Sequence, residues 1–315
     1  MNKRPHNEVS VVMPVSRVDT LQPVIRAIID QDWTSWNFVA VGQGNLDDPR
    51  KQQIMDVVKG LSEEDPRVHY HHTKSIGASA GRNAGIAQVH GDIIALLDDD
   101  CVARSDWLST IAQYFEDDPT VGLVGGAVIA PPNTGHWFGS CPENKPSETI
   151  YAPSTMKGCP PEGWSWISAN MAIRRKVIEI VGPWDEFLGP GTFFPVGDDT
   201  DYKFRLEAAG IKMAVTPRSV VHHTYGYRTG IRAVLDFQNA YAYGNGAFAG
   251  KLTLMGDRRG MKWMKTIKKE TYQLSTLVRP HQLLRTMRRW KIFKQGYERC
   301  IQNFRVSNNL LQEIG

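Results

Sequence analysis

Long hydrophobic runs are missing from this 315-residue chain. Nothing approaches the roughly 20 consecutive apolar residues of a membrane-spanning helix, so no such helix is expected. Cysteine is scarce, with Cys101, Cys141, Cys159 and Cys300 the full set. Their wide, irregular spacing matches no zinc-ligand pattern, and so few in a chain this size do not make a disulfide framework. A reducing compartment is the expectation, with a Cys141–Cys159 bridge left open. The first ten residues are polar, and the apolar run Val11 to Val15 is broken by Pro14 and too short for a signal-peptide core. The expected location is the cytoplasm, with the inner face of the cell membrane as a peripheral position. Internal repeats and low-complexity tracts are lacking as well, which removes repeat architectures from consideration.

What is present is ordinary for a globular protein: 41% apolar and 22% charged residues. The length suits one large α/β domain with an appendage. The net charge of +4 is unevenly placed. Between Lys251 and Cys300 there are fourteen lysines and arginines against three acids, Asp257, Glu270 and Glu298, so this stretch carries 14 − 3 = +11 and the remainder 4 − 11 = −7. A basic segment on an acidic body points to an anionic partner. The same segment also reads as a solvated helical face.

Short β-branched runs alternate with helical spacing along the first two thirds of the chain. Strands are expected over Val9–Val15, Phe38–Val41, Val68–His71, Ile93–Leu97 and Val121–Ile129, and as two late pieces, Lys212–Val215 and Val220–His223. Helices are expected over Leu21–Asp30, Asp48–Leu61, Gly77–Val89, Asp106–Phe115, Arg174–Ile180 and Thr200–Ala209. This order implies a mostly parallel sheet with helices on both faces, whose ligands sit at the carboxyl ends of the strands. Residues 131–161 read as a long loop and 189–197 as a flexible stretch. From Ile231 onward the pattern is helical with basic faces. The expected organisation is a first domain over 1–228 and a C-terminal helical extension over 229–315.

The strongest chemical feature is Asp98-Asp99-Asp100, directly after the apolar run Ile93–Leu97. Three adjacent carboxylates repel one another unless a cation offsets them. A divalent metal does so through hard oxygen ligands, which favours magnesium or manganese and, as further ligand, a diphosphate. The competing reading is a solvated acidic turn or a helix cap. A second acidic cluster, Asp198, Asp199 and Asp201, precedes a helix. Acids favour helix N-termini in any protein, yet a carboxylate there also suits removal of a proton from an acceptor hydroxyl. His222-His223 follows an apolar strand, and one of the two imidazoles is a candidate metal ligand. Trp164 and Trp166 read either as sugar-stacking aromatics or as core. Arg82 reads as a phosphate contact or as a surface ion pair.

These residues together resemble the inverting family 2 glycosyltransferases with the GT-A fold. The resemblance runs from about Val9 to His223. It rests on Val11-Val12-Met13-Pro14-Val15, on Gly77-Ala-Ser-Ala-Gly-Arg82-Asn83-Ala-Gly85-Ile86, and on Gly91-Asp92 leading into Asp98-Asp99-Asp100. It continues through Ser168-Ala-Asn170-Met171, Gly182-Pro-Trp184-Asp185-Glu186 and Gly197-Asp198-Asp199-Thr200-Asp201-Tyr202 to His223. The resemblance implies a Rossmann-like GT-A domain carrying a basic helical extension. It assigns Asp98 and Asp100, with His223, to a Mn2+ or Mg2+ ion, and Asp199 to the catalytic base. It assigns Pro14, Val15, Arg82, Asp98 and Asp99 to the nucleotide-sugar donor. Trp164, Trp166, Asn170 and Asp198 are the acceptor-side expectation. The family's acidic loop after the second strand is here Gly42-Gln43-Gly44-Asn45, where Gln43 or Asn45 offers an amide to a base edge.

The expected activity is therefore metal-dependent transfer of a sugar from a UDP-, dTDP- or GDP-linked donor, the UDP-sugar first, to a glycan or lipid-linked hydroxyl in cell-surface polysaccharide synthesis. A sugar nucleotidyltransferase is the enzymatic alternative, but Val15-Ser16-Arg17-Val18 lacks the Gly-rich basic loop that holds a triphosphate. A non-catalytic basic protein is the other alternative. Lys262-Trp-Met-Lys265 and Arg288-Arg-Trp290-Lys-Ile-Phe-Lys294 interleave cations with aromatics. That pattern favours an anionic membrane surface as the partner of 251–300 over nucleic acid.

Overall fold

The apolar runs read from the sequence become strands of one mixed sheet. A computed structural model describes residues 8–132, 139–156, 160–224, 228–271 and 280–314. The elements follow in the order β1 (Val9–Val15), α1 (Leu21–Ile29), β2 (Trp36–Gln43), α2 (Pro49–Glu64), β3 (Val68–Thr73), α3 (Ala78–Ile86) and β4 (Ile93–Leu97). Next come β5 (Cys101–Ala103), α4 (Trp107–Asp117), β6 (Leu123–Ile129), the short strands β7 (Gly139–Ser140) and β8 (Thr149–Tyr151), β9 (Asn170–Arg174), α5 (Arg175–Val181) and α6 (Asp198–Ala208). The chain continues with β10 (Met213–His223), β11 (Arg228–Thr229), α7 (Ile231–Leu254), α8 (Arg258–Thr271), α9 (Pro280–Asn303), β12 (Phe304–Ser307) and β13 (Leu310–Glu313).

The chain divides into two units. The first comprises residues 1–76, 80–183 and 204–228, and the second 77–79, 184–203 and 229–315. The first unit holds a nine-stranded sheet of order β3-β2-β1-β4-β9-β6-β10-β5, with β8 pairing β10 at its other end. β1, β2, β3 and β4 are mutually parallel, β6 is parallel to β10, and β9, β5 and β8 run antiparallel to their neighbours. Six of nine strands thus share one direction, so the carboxyl ends of β1, β2, β4 and β10 lie on one edge. Strands buried on both faces explain the continuous apolar runs, and every residue of β1 and β4 is buried. One face of β1 (Val9, Val11, Met13, Val15) joins Ile93, Ala95, Leu97 and Trp107 in the main core.

The opposite face takes α3 at very short range. A Cβ added at Gly85 would fall 2.4 Å from Val12 Cγ1 and 2.8 Å from Val41 Cγ2. The small-residue pattern of this helix therefore exists to let backbone meet sheet.

Three details differ from the sequence expectation. The two late strand pieces form one strand, β10, with an irregular register between Val215 and Val220 where Pro217 falls. β5 and β9, where no strand is expected from the sequence, are antiparallel strands. Residues 131–161 contain the short strands β7 and β8. The Cys141–Cys159 expectation lies outside the described residues, because Cys159 is not among them.

The second unit is built on α7, α8 and α9. Gly246 and Gly296 let α7 and α9 touch backbone to backbone, since an added Cβ would come within 1.9 Å of the Phe293 carbonyl and 2.0 Å of the Tyr243 carbonyl respectively. Two apolar clusters hold the unit: Ala249, Ile267, Phe293 and Tyr297, and Leu188, Phe194, Ala247, Cys300, Phe304 and Leu311. β12 and β13 form a hairpin whose two-residue turn is Asn308-Asn309, both with positive φ (51° and 63°). That is the type I′ geometry that asparagine tolerates best among residues with a side chain. Among the described residues, the expected basic face of this segment has one exception. Lys251 is fully buried, with Nζ 2.7 Å from Asp185 and 2.5 Å from Asp201. Among the described residues, no helix is long and apolar enough to cross a membrane.

Candidate active site

Asp98, Asp99 and Asp100 leave β4 beside the loop that leaves β1, because the two strands are parallel neighbours. Each carboxylate has a different environment. Asp99 is buried and ties the two strand ends together. Its Oδ2 accepts from the Ser16 amide (2.6 Å), the Ser16 hydroxyl (3.0 Å) and the Arg17 amide (2.9 Å), and its Oδ1 accepts from Arg17 Nη1 at 2.5 Å. Asp98 is half-buried and faces the buried Arg82, whose Nη2 donates to its Oδ1 at 3.3 Å. Burial pushes the Asp98 carboxyl upward, against the pull of Arg82, and the charges of Asp100 and Asp99 push it further.

Asp100 is buried and meets His223. β5 places Cys101 opposite His223 of β10, which brings the imidazole Nε2 to 3.2 Å from Asp100 Oδ1. The Thr224 amide and hydroxyl donate to the Asp100 carbonyl at 2.8 and 3.0 Å and lock this corner. His223 Nδ1 lies 3.0 Å from the Pro142 carbonyl and 3.3 Å from Cys141 Sγ. The Pro142 carbonyl and the Asp100 carboxylate both only accept, so in this pair both ring nitrogens carry a proton, Nδ1–H toward Pro142 and Nε2–H toward Asp100. Burial disfavours charge on both partners, yet their mutual attraction outweighs it. Asp100 is lowered, with Arg17 Nη1 3.4 Å away adding to the effect, and His223 is raised. Cys101 is fully buried, and its thiol is pushed well above the ordinary range by that burial.

The donor expectations Pro14 and Gln43 meet over α3. A Cβ at Gly81 would lie 2.5 Å from Gln43 Nε2 and 2.8 Å from Pro14 Cβ. Gln43 is part of β2, in register with Thr73, and not of a loop. The side chain of Val15 belongs to the main core, so only its backbone faces the strand-end edge. Asn45 lies beyond the end of β2 and accepts from the Asp47 amide.

The acceptor-side expectations sit deeper. Trp164 and Trp166 are both buried, the former edge-on to Tyr151 at 4.8 Å. The Trp166 indole N–H has no hydrogen-bond partner among the described residues. Asn170 is fully buried and braces the sheet. Its Nδ2 donates to the Ala127 and Ser219 carbonyls (2.8 and 3.0 Å), and its Oδ1 accepts from Trp107 Nε1 at 2.8 Å. In the second unit, Asp198 and Asp201 are buried while Asp199 is half-buried, all in the first turn of α6. His222, the alternative to His223, is exposed.

Sequence reasoning missed Arg17 and Cys141. The signal for Arg17 was a cation directly after one parallel strand beside an acidic triplet directly after its neighbour. Cys141 carries no such signal, since it reaches His223 across 82 residues of chain.

Among the described residues, one group of potential metal ligands has its donor atoms within 4.8 Å of one another: Asp100, Cys101 and His223. Asp100 and His223 fit a hard or borderline divalent ion, one through carboxylate oxygen and the other through an Nε2 oriented by the Pro142 carbonyl.

Comparison with known proteins identifies the family. The sequence model of Glycosyl transferase family 2 matches residues 10–181. The chain is 27% identical over 198 residues to a glucosyl-dolichyl phosphate glucuronosyltransferase of Haloferax volcanii, covering 58% of this chain and 57% of that protein. It is 31% identical over 169 residues to a pre-mycofactocin glycosyltransferase of Mycobacterium tuberculosis, covering 51% of this chain and 33% of that protein. The chain thus spans about half or less of the length of these relatives. Among solved structures it is similar to the mannosyltransferase PcManGT of Pyrobaculum calidifontis in complex with GDP-Man and Mn2+, with a TM-score of 0.53 at 16% identity over 76% of this chain and 62% of that one. Likeness at this identity speaks for the fold, which is GT-A. With more than half of its length matched by the family's own sequence model, the chain belongs to glycosyltransferase family 2.

Proposed function

We propose that this protein transfers a sugar from a nucleotide-diphosphate donor to an acceptor hydroxyl with inversion, using a divalent metal. The observation that supports this most is the gathering of Asp98, Asp99, Asp100, Arg17, Arg82 and His223 at the carboxyl ends of β1, β4 and β10, the edge where such sheets bind ligands. Asp100 and His223, with Asp98 beside them, are the residues that would hold Mn2+ or Mg2+. When bound, such an ion offsets charge on a leaving diphosphate. The solved neighbour PcManGT holds GDP-Man and Mn2+, which supports a donor and metal of this class.

The chain's own residues take the remaining roles. Asp99 fixes Ser16 and Arg17 so that the β1 loop keeps its shape as the donor enters. Arg82 steers phosphate and holds Asp98. Gln43 offers its amide to the base of a UDP-, dTDP- or GDP-sugar. Asp199, the most accessible of the three acids opening α6, takes the acceptor proton. Trp166 keeps an indole N–H to offer on the acceptor side. The acceptor is a glycan or lipid-linked hydroxyl. The name of the Haloferax relative, whose acceptor is glucosyl-dolichyl phosphate, supports the second. The exposed cations of 251–300 dock on an anionic membrane surface, without Lys251.

Calorimetric titration with UDP, dTDP, GDP and CDP, each with Mn2+ and with chelator, tests the reading. The expected result is metal-dependent binding of one nucleotide, lost in Asp100→Ala. Equal binding with and without metal, or binding unchanged in the variant, overturns the metal assignment.

A further inference from the structure

Three histidines gather at a cavity of about 460 Å³ in the first unit, whose lining includes Glu8, Asn37, His69, His71 and His90. β1, β2 and β3 are parallel, Glu8 precedes β1, and Asn37 and His69 are the second residues of β2 and β3. The cavity therefore lies toward the amino ends of these strands, away from the carboxyl ends that carry Asp98, Asp99 and Asp100. His69 and His71 pair with Val39 and Val41 of β2 and stand two residues apart, so both side chains leave the same face of the sheet. That is the face that takes α3, since Val12 and Val41 meet Gly85 there. β3 stands at the edge of the sheet order. His90 follows α3 and is brought back over the start of β1 by Gly91. The Gly91 amide donates to Ser10 Oγ at 3.0 Å, and a Cβ added at Gly91 would lie 2.7 Å from the Glu8 carbonyl. The Glu8 carboxylate is held by one oxygen, Oε1, which accepts from Asn37 Nδ2 at 2.8 Å. Among the described residues, the imidazoles of His69, His71 and His90 have no hydrogen-bond or ion-pair partner.

Three imidazoles beside a carboxylate make a donor set for a cation, and the carboxylate counts against an anion. Imidazole suits zinc, copper and nickel, whereas carboxylate and water suit magnesium and manganese. A shell dominated by imidazole therefore favours the first group. We propose that this cavity binds one zinc-class divalent ion through His69 and His71, with His90 and Glu8 completing the shell. The ion joins the edge strand β3 to the end of α3 and the start of β1. As found, no three of these four side chains bring their donor atoms within 4.8 Å of one another, so the shell closes by side-chain rotation. Along β3 the two histidine Cα atoms are about 6.6 Å apart. Nitrogens that share one tetrahedral zinc are roughly 3.3 Å apart. His69 and His90 are exposed and His71 is half-buried, and surface rings turn about their side-chain bonds within nanoseconds. Neither donor nor acceptor takes part, so this site stands apart from the transferase reading.

The test is calorimetric titration of the full chain with Zn2+ and, separately, with Mn2+. Asp100 and His223 can also take Zn2+, so the His223→Gln chain isolates the second site. The expected result is one Zn2+ bound in that chain, at least about tenfold more tightly than Mn2+. Adding His69→Gln/His71→Gln should weaken Zn2+ binding at least about tenfold, the lower end of what even a disturbed ligand environment costs. Glu8→Gln, of equal size, should weaken it in the same direction. Zn2+ should also raise the thermal midpoint of the His223→Gln chain by mass action, and not that of the chain lacking both β3 histidines. If the double change lowers the midpoint before any metal is added, the single change His69→Gln, at an exposed position, carries the comparison. No Zn2+ bound in the His223→Gln chain, equal affinity for Zn2+ and Mn2+, or a site that survives these histidine changes overturns the proposal.

Discussion

The Nε2 atom of His223 lies 3.2 Å from Oδ1 of Asp100, held there because β5 and β10 place Cys101 opposite His223. Each residue comes from a different strand end, and neither keeps its ordinary proton affinity. The pair is the part of the site most open to direct test. His223→Gln should weaken Mn2+-dependent nucleotide binding by about 10- to 100-fold, the range seen when the surroundings of a metal ligand are disturbed. Binding in chelator should change far less. Calorimetry with and without Mn2+ checks this, and an equal loss in both conditions would move His223 out of the metal shell.

Asp199→Asn keeps size and hydrogen bonding but removes the proton acceptor. It should lower transfer by at least about 100-fold, the lower end of what a positioned base contributes. Donor binding should stay within about twofold by the same argument, since amide and carboxylate have equal volume. Asp198→Asn is the paired control. A fall in donor affinity that matches the fall in rate would make Asp199 a binding residue.

Lys251→Met should be among the most destabilising single changes in the second unit. It leaves Asp185 and Asp201, each about 1% exposed, without their shared cation. Removing one partner of a buried ion pair costs about 3–5 kcal/mol. Urea unfolding gives the value, and Lys251→Met/Asp201→Leu should recover part of it. A loss below about 1 kcal/mol, the scale of surface ion pairs, would mean that water reaches the group.

Gly85→Ala should cost about 1–3 kcal/mol, because the added methyl overlaps Val12 and Val41. Val12→Ala in the same chain should return some of that loss. Thermal midpoints of the three variants give the answer, and no change in Gly85→Ala would mean that α3 can move away from the sheet without cost.

Asp118 supplies a pH test away from the site. Hydrogen bonds from Lys212 (2.5 Å) and Thr120 pull its carboxyl down from 3.8 to about 2. A depressed folded-state value means that ionised Asp118 stabilises the fold above about pH 4 and that the contribution fades as pH falls toward about 2. The group is 30% exposed, so the effect should be below about 1 kcal/mol. The stability gap between wild type and Asp118→Asn, from urea midpoints, should therefore shrink on acidification. A gap that widens would reverse the sign of the shift.

Much of the first unit was legible because its strands are buried on both faces. Val9–Val15 and Ile93–Leu97 show as continuous apolar runs, and polar residues start where each run reaches the sheet edge. The acidic triplet and His223 stood out for the same reason. β9 hid because it opens with Asn170, a polar residue that is buried only through Trp107, Ala127 and Ser219, none of them near it in sequence. β10 read as two pieces because Pro217 interrupts it at an irregular register. Lys251 looked like one more cation in a basic stretch, since its counter-charges lie in a segment that local periodicity does not connect to it. Arg17 escaped notice because its meaning comes from the neighbouring strand end.

The division of the chain also bears on how any deletion experiment is interpreted. Asp185 and Asp201 belong to the segment 184–203, yet the ammonium that neutralises both and the Leu311 amide that donates to Asp185 come from beyond residue 228. A fragment ending at 228 would lose that ammonium and that amide, the groups that hold Asp185 and Asp201 in place beside the turn that bears Asp199. Its inactivity would report a collapsed α6 rather than a missing ligand site. Point variants at exposed positions such as Leu284, and not shortened chains, are the instrument that separates those two causes.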